Sequence, residues 1–385
     1  MDRIPLVHAS LGAQELAAVA EVFESGWPAG QGPKGKALEA QLVERYGVGD
    51  AVALTNCGVA LHLALLALGV KPGDEVIVSD YGFPAPAHAV RYLDAVPVFA
   101  DVHADTGLVD VESVADLITP RTVGMIVIDT VGLPADYDEL NALAARHGLF
   151  VIEDAACAVG ATYRGQQAGT LAPVACLSFH GRKGATSGEG GALLAADPEV
   201  GQDVRLRSAF GITSIFDQAK VIGLPISEFT EIGYNYKLSD IAAAILQVQL
   251  KRLDGLLERR RAVAARYAEL LADEELLTLP VVPEDRTHVW QSYLVTLDAS
   301  VDRAALAADL RAQGIGCGHG TWAGHLQPVF ESKQVCHVSA DLFRRHLAIP
   351  MHAELSMDQV ERVAQTLRAA LPTHATSARG LRGAA

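Results

Sequence analysis

Lysine, aromatic residues and long apolar runs are all scarce in this chain. Only eight of its 385 residues are lysine, 6% are aromatic, and 46 acidic against 31 basic residues leave a net charge of −15. A duplex-binding surface needs a basic patch, and the densest basic run, Arg259-Arg260-Arg261, is interleaved with Asp254 and Glu258 in a helical pattern. That run is expected to be a solvated helix face, and no nucleic-acid partner is expected. No apolar stretch approaches the roughly 20 residues that span a bilayer, so no membrane is expected either. The start, Met1-Asp2-Arg3-Ile4-Pro5, has no apolar core of a signal peptide. Five scattered cysteines (Cys57, Cys157, Cys176, Cys317, Cys336) make neither a disulfide framework nor a zinc ribbon. The histidines form no His-x-x-x-His pair with carboxylate support, so no metal site is expected. The expectation is a reduced, cytoplasmic, soluble protein of enzyme size.

Half of the residues are hydrophobic, enough for a large core and more than one domain. Strands are expected at Ala51–Leu54, Glu75–Ser79, Val96–Ala100, Gly124–Asp129, Leu149–Asp154, Val174–Phe179 and Gly191–Ala195. Several are apolar throughout, as strands are when both faces of a parallel sheet are covered. Helical stretches lie between them. Gly58 to Leu68 is apolar on nearly every face and should be buried, and Asp136 with Glu139 reads as a capping box. The alternation predicts an α/β fold with a mostly parallel, seven-stranded sheet over residues 1–240. Ser239 caps a long helix from Asp240 to about Leu271, and a smaller α+β domain is expected over 241–372. The polar tail 373–385 is expected to be disordered.

The chemistry concentrates in Ser178-Phe179-His180-Gly181-Arg182-Lys183 and the following Gly188-Glu189-Gly190-Gly191. A loop lysine by itself is a solvated charge. Lys183, flanked by glycines just past a buried strand, can instead meet a flat cofactor without side-chain obstruction, its amine pKa lowered by partial desolvation. Asp154 ends a Val- and Ile-rich strand. It could cap a following helix, or lie where open α/β sheets bind ligands, beyond the carboxyl ends of strands. A lysine for a Schiff base and a carboxylate for a pyridinium are what pyridoxal phosphate requires. Asn56-Cys57-Gly58 at a strand-to-helix junction offers free N–H groups to a phosphate, and Ser178 adds a hydroxyl. Phe83 could stack on a planar ring or belong to the core. His180 lies close enough to Lys183 to be considered, with a packed core histidine as the other reading. Gly30-Gln31-Gly32-Pro33-Lys34-Gly35 matches the dinucleotide fingerprint, but a helix, not a strand, precedes it, so the match is read as accidental.

Taken together, Asn56 to Leu65, Glu153-Asp154-Ala155-Ala156, the Ser178…Lys183…Gly191 segment and Gly233-Tyr234-Asn235-Tyr236-Lys237-Leu238-Ser239-Asp240 resemble the DegT/StrS-like sugar aminotransferases. The likeness runs from Ser25 to Pro350. It implies a fold type I pyridoxal phosphate enzyme with Lys183 and Asp154 as its catalytic pair. Lys183 would bind the cofactor and later move the proton. Asp154 would partner the pyridine nitrogen, and Phe83 would stack on the ring. Cys57, Gly58 and Ser178 would hold the phosphate, and Asn235 would reach the phosphate of a neighbouring subunit, implying a homodimer with shared sites. Three positions depart from the family. Cys157 stands where Gln or His is common near the ring hydroxyl. Gly58 stands where Thr is frequent, and Asp129 where His is common. The implied reaction moves an amino group, with L-glutamate as the expected donor, to a keto sugar, most often nucleotide-linked, in glycan or natural-product synthesis. A keto-cyclitol acceptor, a non-transaminating lyase or epimerase, and a regulator on the same fold are the alternatives. His319, Trp322 and His325, with His180, are the expected substrate contacts.

Overall fold

A computed structural model describes residues 3–212 and 227–376. Its centre is a seven-stranded sheet of β1 (Asp50–Leu54), β2 (Glu75–Ser79), β3 (Val96–Ala100), β4 (Thr122–Ile128), β5 (Phe150–Asp154), β6 (Val174–Ser178) and β7 (Gly191–Ala195). The spatial order is β1-β7-β6-β5-β4-β2-β3, and only β7 runs antiparallel to its neighbours. Every residue of β2, β6 and β7 is buried, which explains the unbroken apolar runs: both faces are covered.

The helices that bear on the site are α1 (Ala13–Ser25), α2 (Pro33–Tyr46), α3 (Cys57–Ala67), α4 (Tyr137–His147) and α5 (Asp240–Leu271). Helix α3 is apolar all round and lies in the core on one face of the sheet. Helix α5 starts where the sequence indicates, with the Ser239 hydroxyl accepting from Ala242 N. Its first half (Leu246, Leu250, Leu253, Leu257) packs in the core on the other face of the sheet. Its second half (Val263, Ala264, Tyr267, Leu271) packs in a separate core around a four-stranded antiparallel sheet. That sheet comprises β8 (Leu277–Thr278), β9 (Tyr293–Leu297), β10 (Gly318–His319) and β11 (His346–Ile349), in the order β8-β9-β11-β10. Helices α6 (Arg303–Ala312) and α7 (Met357–His374) also contribute to this part of the fold.

Three local expectations are corrected. The Asp136 side chain does not cap α4; it is drawn away by the Arg286 guanidinium, a stronger, charge-assisted partner. Arg260 is not on a solvated face: it is 4% exposed, turned inward from α5. The ordered chain continues past residue 373, because α7 extends to His374 and Thr376 N bonds Ser300 O at 2.9 Å. Positions 377–385 of the expected tail lie outside the described residues. No described helix is long and apolar enough to cross a membrane.

Candidate active site

The functional side chains gather at the carboxyl edge of the parallel strands, where the strand ends of an open α/β sheet leave a crevice. β1 leads into Asn56, β4 into Thr130 and Val131, β5 ends in Asp154, and β6 ends in Ser178 and feeds the Lys183 loop. Together they line a cavity of about 600 Å³ that includes Lys183, Asp154, Cys57, Gly58, Cys157 and Ser178. Phe83, His180 and Trp322 line it as well. Phe83 is 62% exposed, so the core reading fails; its ring meets Trp322 edge to face at 5.3 Å.

The N-terminus of α3 points into this cavity. Asn56 has extended backbone angles and its Oδ1 accepts from Val59 N at 3.0 Å, which leaves the earlier N–H groups, on Cys57 and Gly58, facing the cavity. β7 begins hard against this turn. A Cβ on Gly191 would stand 2.3 Å from the Asn56 carbonyl carbon and 2.5 Å from Cys57 N, so only glycine fits. At Gly58 a Cβ would meet only Asn56 Oδ1, at 3.2 Å.

The lysine loop is a tight hairpin. Lys183 N bonds His180 O at 2.9 Å, Gly181 N bonds Gly188 O at 2.8 Å, and Phe179 N bonds Gly190 O at 2.8 Å. Gln249 of α5 holds it from behind, accepting from Thr186 N at 3.3 Å. The Lys183 Nζ lies 2.9 Å from Cys157 Sγ. Burial pulls the Lys183 ammonium down, but Cys157, Asp154 and Cys57 more than offset this, and its pKa stands above the ordinary lysine value. The lowered amine pKa expected from the sequence is therefore not supplied by the protein's own groups, which are acidic and hold the proton on. Asp154 is buried, and burial pushes its carboxyl up to about 6 against the opposing effects of Ala156 N, Lys183 and Cys57. Its Oδ1 accepts from Ala156 N at 3.1 Å; no helix follows, so the aspartate closes a turn instead of capping.

A second acidic pair lies beneath the site. Asp129 Oδ1 accepts from Ala135 N at 3.2 Å and Tyr137 Oη at 3.0 Å, while Oδ2 meets no hydrogen-bond partner among the described residues. Glu153 beside it accepts from Gly169 N and Leu171 N. Burial raises both carboxyls, Glu153 to about 7 and Asp129 well above its usual range, and the neighbouring Glu153 raises Asp129 further.

Three expected residues lie elsewhere. His325 is buried away from the cavity, its Nδ1 2.6 Å from Asp80 Oδ2. The Asp80 carboxylate also accepts from His325 N and the Ser339 hydroxyl, a knot that ties the end of β2 to the Ala323–His325 turn. His319 stands one layer behind the wall, edge-on to Trp322 at 4.6 Å. Asn235 is exposed and outside this cavity, accepting from Lys237 Nζ at 2.6 Å. Val131, Gln291 and Ser292, which also line the cavity, were not anticipated, and Thr321 lines it beside Trp322. Val131 follows β4, and Gln291 and Ser292 come from the connection before β9, segments that carry no pattern of their own. Arg182, next to the lysine, also lines the cavity.

A lysine amine, a buried carboxylate at a strand end and an open helix N-terminus on one cavity fit an aldehyde, a ring nitrogen and a phosphate. This defines an enzyme of the vitamin B6 type. Comparison with known proteins agrees. Residues 9–368 match the DegT/DnrJ/EryC1/StrS aminotransferase family, and the chain belongs to it: a pyridoxal phosphate-dependent aminotransferase of fold type I. Among solved structures, the aminotransferase TlmJ from Streptoalloteichus hindustanus is 34% identical with a TM-score of 0.90, over 96% of this chain and 99% of that one. DesV from S. venezuelae is 32% identical with a TM-score of 0.88, over 96% and 98%. The sugar aminotransferase Spr1654 from Streptococcus pneumoniae, solved in a PMP form, is 25% identical with a TM-score of 0.91, over 95% and 98%.

Proposed function

We propose that this aminotransferase moves an amino group from an amino acid, L-glutamate by preference, to a keto sugar, nucleotide-linked in the favoured case, within glycan or natural-product synthesis in the cytoplasm. The observation that carries the reading is the convergence of Lys183, Asp154 and the α3 N-terminus on one cavity. The sugar is supported by a similar protein: CalS13 from Micromonospora echinospora is a sugar aminotransferase, 27% identical with a TM-score of 0.87.

Bound pyridoxal phosphate supplies an aldehyde that carries the amine and a ring that accepts electrons from the substrate carbon. Lys183 would hold the aldehyde by its Nζ and would carry the substrate-carbon proton. Asp154, buried and able to keep a negative charge near neutrality, holds the proton on the ring nitrogen. Phe83 covers one face of the ring. The N–H groups of Cys57 and Gly58, with the Ser178 hydroxyl, take the phosphate at the positive end of the α3 dipole. Cys157 sits beside the amine, its Sγ 2.9 Å from Lys183 Nζ, and would stand near the bound cofactor. His180 and Trp322 border the substrate, and His319 backs Trp322. Asn235 reaches the site of a second subunit in a homodimer. We propose two domains at 1–240 and 241–372, with α5 bridging them, its first half packed in the first core and its second half in the other.

The deciding experiment incubates the protein with pyridoxal phosphate, traps with borohydride and maps the added mass. Modification at Lys183, and conversion of labelled glutamate to 2-oxoglutarate beyond one equivalent per active site only when a keto-sugar nucleotide or inosose is supplied, is the expected result. The Lys183→Ala variant should lose turnover by at least about a thousandfold. Mass gained at another lysine, or none, would sink the reading.

A further inference from the structure

Arg260 is buried in the middle of α5, yet it makes no ion pair among the described residues. Its guanidinium is spent on backbone carbonyls. Nη1 donates to Trp290 O at 2.9 Å and Gln291 O at 3.4 Å, and Nη2 donates to Lys183 O at 3.4 Å. Nε has no partner among the described residues. Burial pulls the group down to about 10, the mark of a cation held in an apolar setting without a counter-charge. For packing alone, this is an expensive choice: an apolar side chain of similar volume would fill the space without the desolvation cost.

What the guanidinium joins explains the choice. On one side is the carbonyl of Lys183, the residue whose amine faces the cavity. On the other is the turn that leads into the cavity-lining Gln291 and Ser292, and that turn is strained. Trp290 adopts φ +53° and Val131, which accepts from Gln291 N at 3.0 Å, adopts φ +49°. Left-handed angles at an aromatic and a β-branched residue persist only where neighbours enforce them. A planar fork with several donors can bind two strands of backbone at once, which an ammonium cannot do equally well.

We propose that Arg260 is a positioning residue, its guanidinium clamping the Lys183 loop to the Trp290–Gln291 turn and so setting where the lysine amine stands relative to Gln291 and Ser292 in the cavity. The inference rests on Lys183 being the cofactor lysine. It gives α5 a function beyond joining two cores: the same helix grips the lysine hairpin through Gln249 and Arg260.

The test compares wild type with Arg260→Met, Arg260→Lys and, as a surface control, Arg259→Met. Three measurements are made. The first is the pH titration of the imine absorbance after loading with pyridoxal phosphate. The second is the pH dependence of acetic anhydride labelling at Lys183 in the cofactor-free protein, read by peptide mass. The third is the steady-state split of kcat and KM. Arg260→Met should still trap cofactor at Lys183 with borohydride. Its absorbance and labelling midpoints should move by about half a pH unit or more, and kcat should fall about tenfold or more with KM for the amino donor little changed. Arg260→Lys should recover part of each shift, and Arg259→Met none. Should Arg260→Met melt too early to load, the Arg260→Lys midpoints decide, a wild-type titration there refuting the clamp. Unchanged midpoints in folded Arg260→Met, with normal trapping in wild type, would overturn this inference alone. Wild type that traps nothing at Lys183 would overturn the cofactor assignment and the clamp together.

Discussion

Two helix N-termini in this molecule have the same electrostatics and opposite fates. Helix α2 begins at the glycine-rich Gly30–Gly35 stretch, the one that matches a dinucleotide fingerprint. Its free N–H groups are already taken: Asp240 Oδ2 accepts from Lys34 N and Oδ1 from Gly35 N, both at 2.9 Å, and that carboxylate is 1% exposed. Helix α3 begins at Asn56, whose short side chain satisfies only Val59 N and leaves the first N–H groups facing the cavity. A helix terminus attracts anions by its geometry and dipole. Whether it becomes a ligand site depends on whether the fold has already delivered a carboxylate to it.

Removing the internal anion should cause the largest effect. Asp240→Ala strands one buried and one part-buried N–H group, and unfolding in urea should show a loss of about 2–4 kcal/mol with the cofactor site still able to load. An unchanged midpoint would mean the α2 terminus is not closed by Asp240. The open terminus can be sharpened instead. Gly58→Thr places a hydroxyl in the first turn of α3, where the space is limited only by the Asn56 oxygen. Equilibrium dialysis should show pyridoxal phosphate held severalfold more tightly, about 1 kcal/mol for one added hydrogen bond. Weaker binding would place the phosphate elsewhere.

The smallest effect concerns the acid pair under the site. Both carboxyls are raised in the folded protein, so the native state binds more protons than the unfolded chain between the ordinary carboxylate range and about pH 7. Stability should therefore fall as pH rises through that window. Asp129→Asn keeps the acceptor for Ala135 N and Tyr137 Oη and gives Glu153 a permanent donor. Its pH-dependent stability loss between about pH 4.5 and 7 should be shallower than that of wild type. Parallel curves would show that the pair does not titrate with folding. This contrasts with Asp240, a buried carboxylate that meets donors on both oxygens.

Much of the site was legible in the sequence because it is local. Lys183, Asp154, Ser178 and Asn56-Cys57-Gly58 each sit within a few residues of a strand end, and strand ends are marked by where apolar runs stop. His325 was misplaced because proximity in sequence to Trp322 says nothing about which way a tight turn directs a ring; Asp80, far away in the chain, captured it. Arg260 was misread because its neighbours Arg259 and Arg261 are exposed, and one step along a helix turns a side chain by about 100°.

What the chain order alone determined is the pattern: which runs are buried strands, where α5 begins, and that a glycine-flanked lysine follows one strand while an aspartate ends another. Only the tertiary structure decided which charges meet. It sent Asp240 to one helix end and left the other open, put Cys157 rather than a cation beside the Lys183 amine, and turned Arg260 onto three carbonyls. Periodicity is written in neighbouring residues, whereas the electrostatic environment of a group is the sum over residues that only folding brings near.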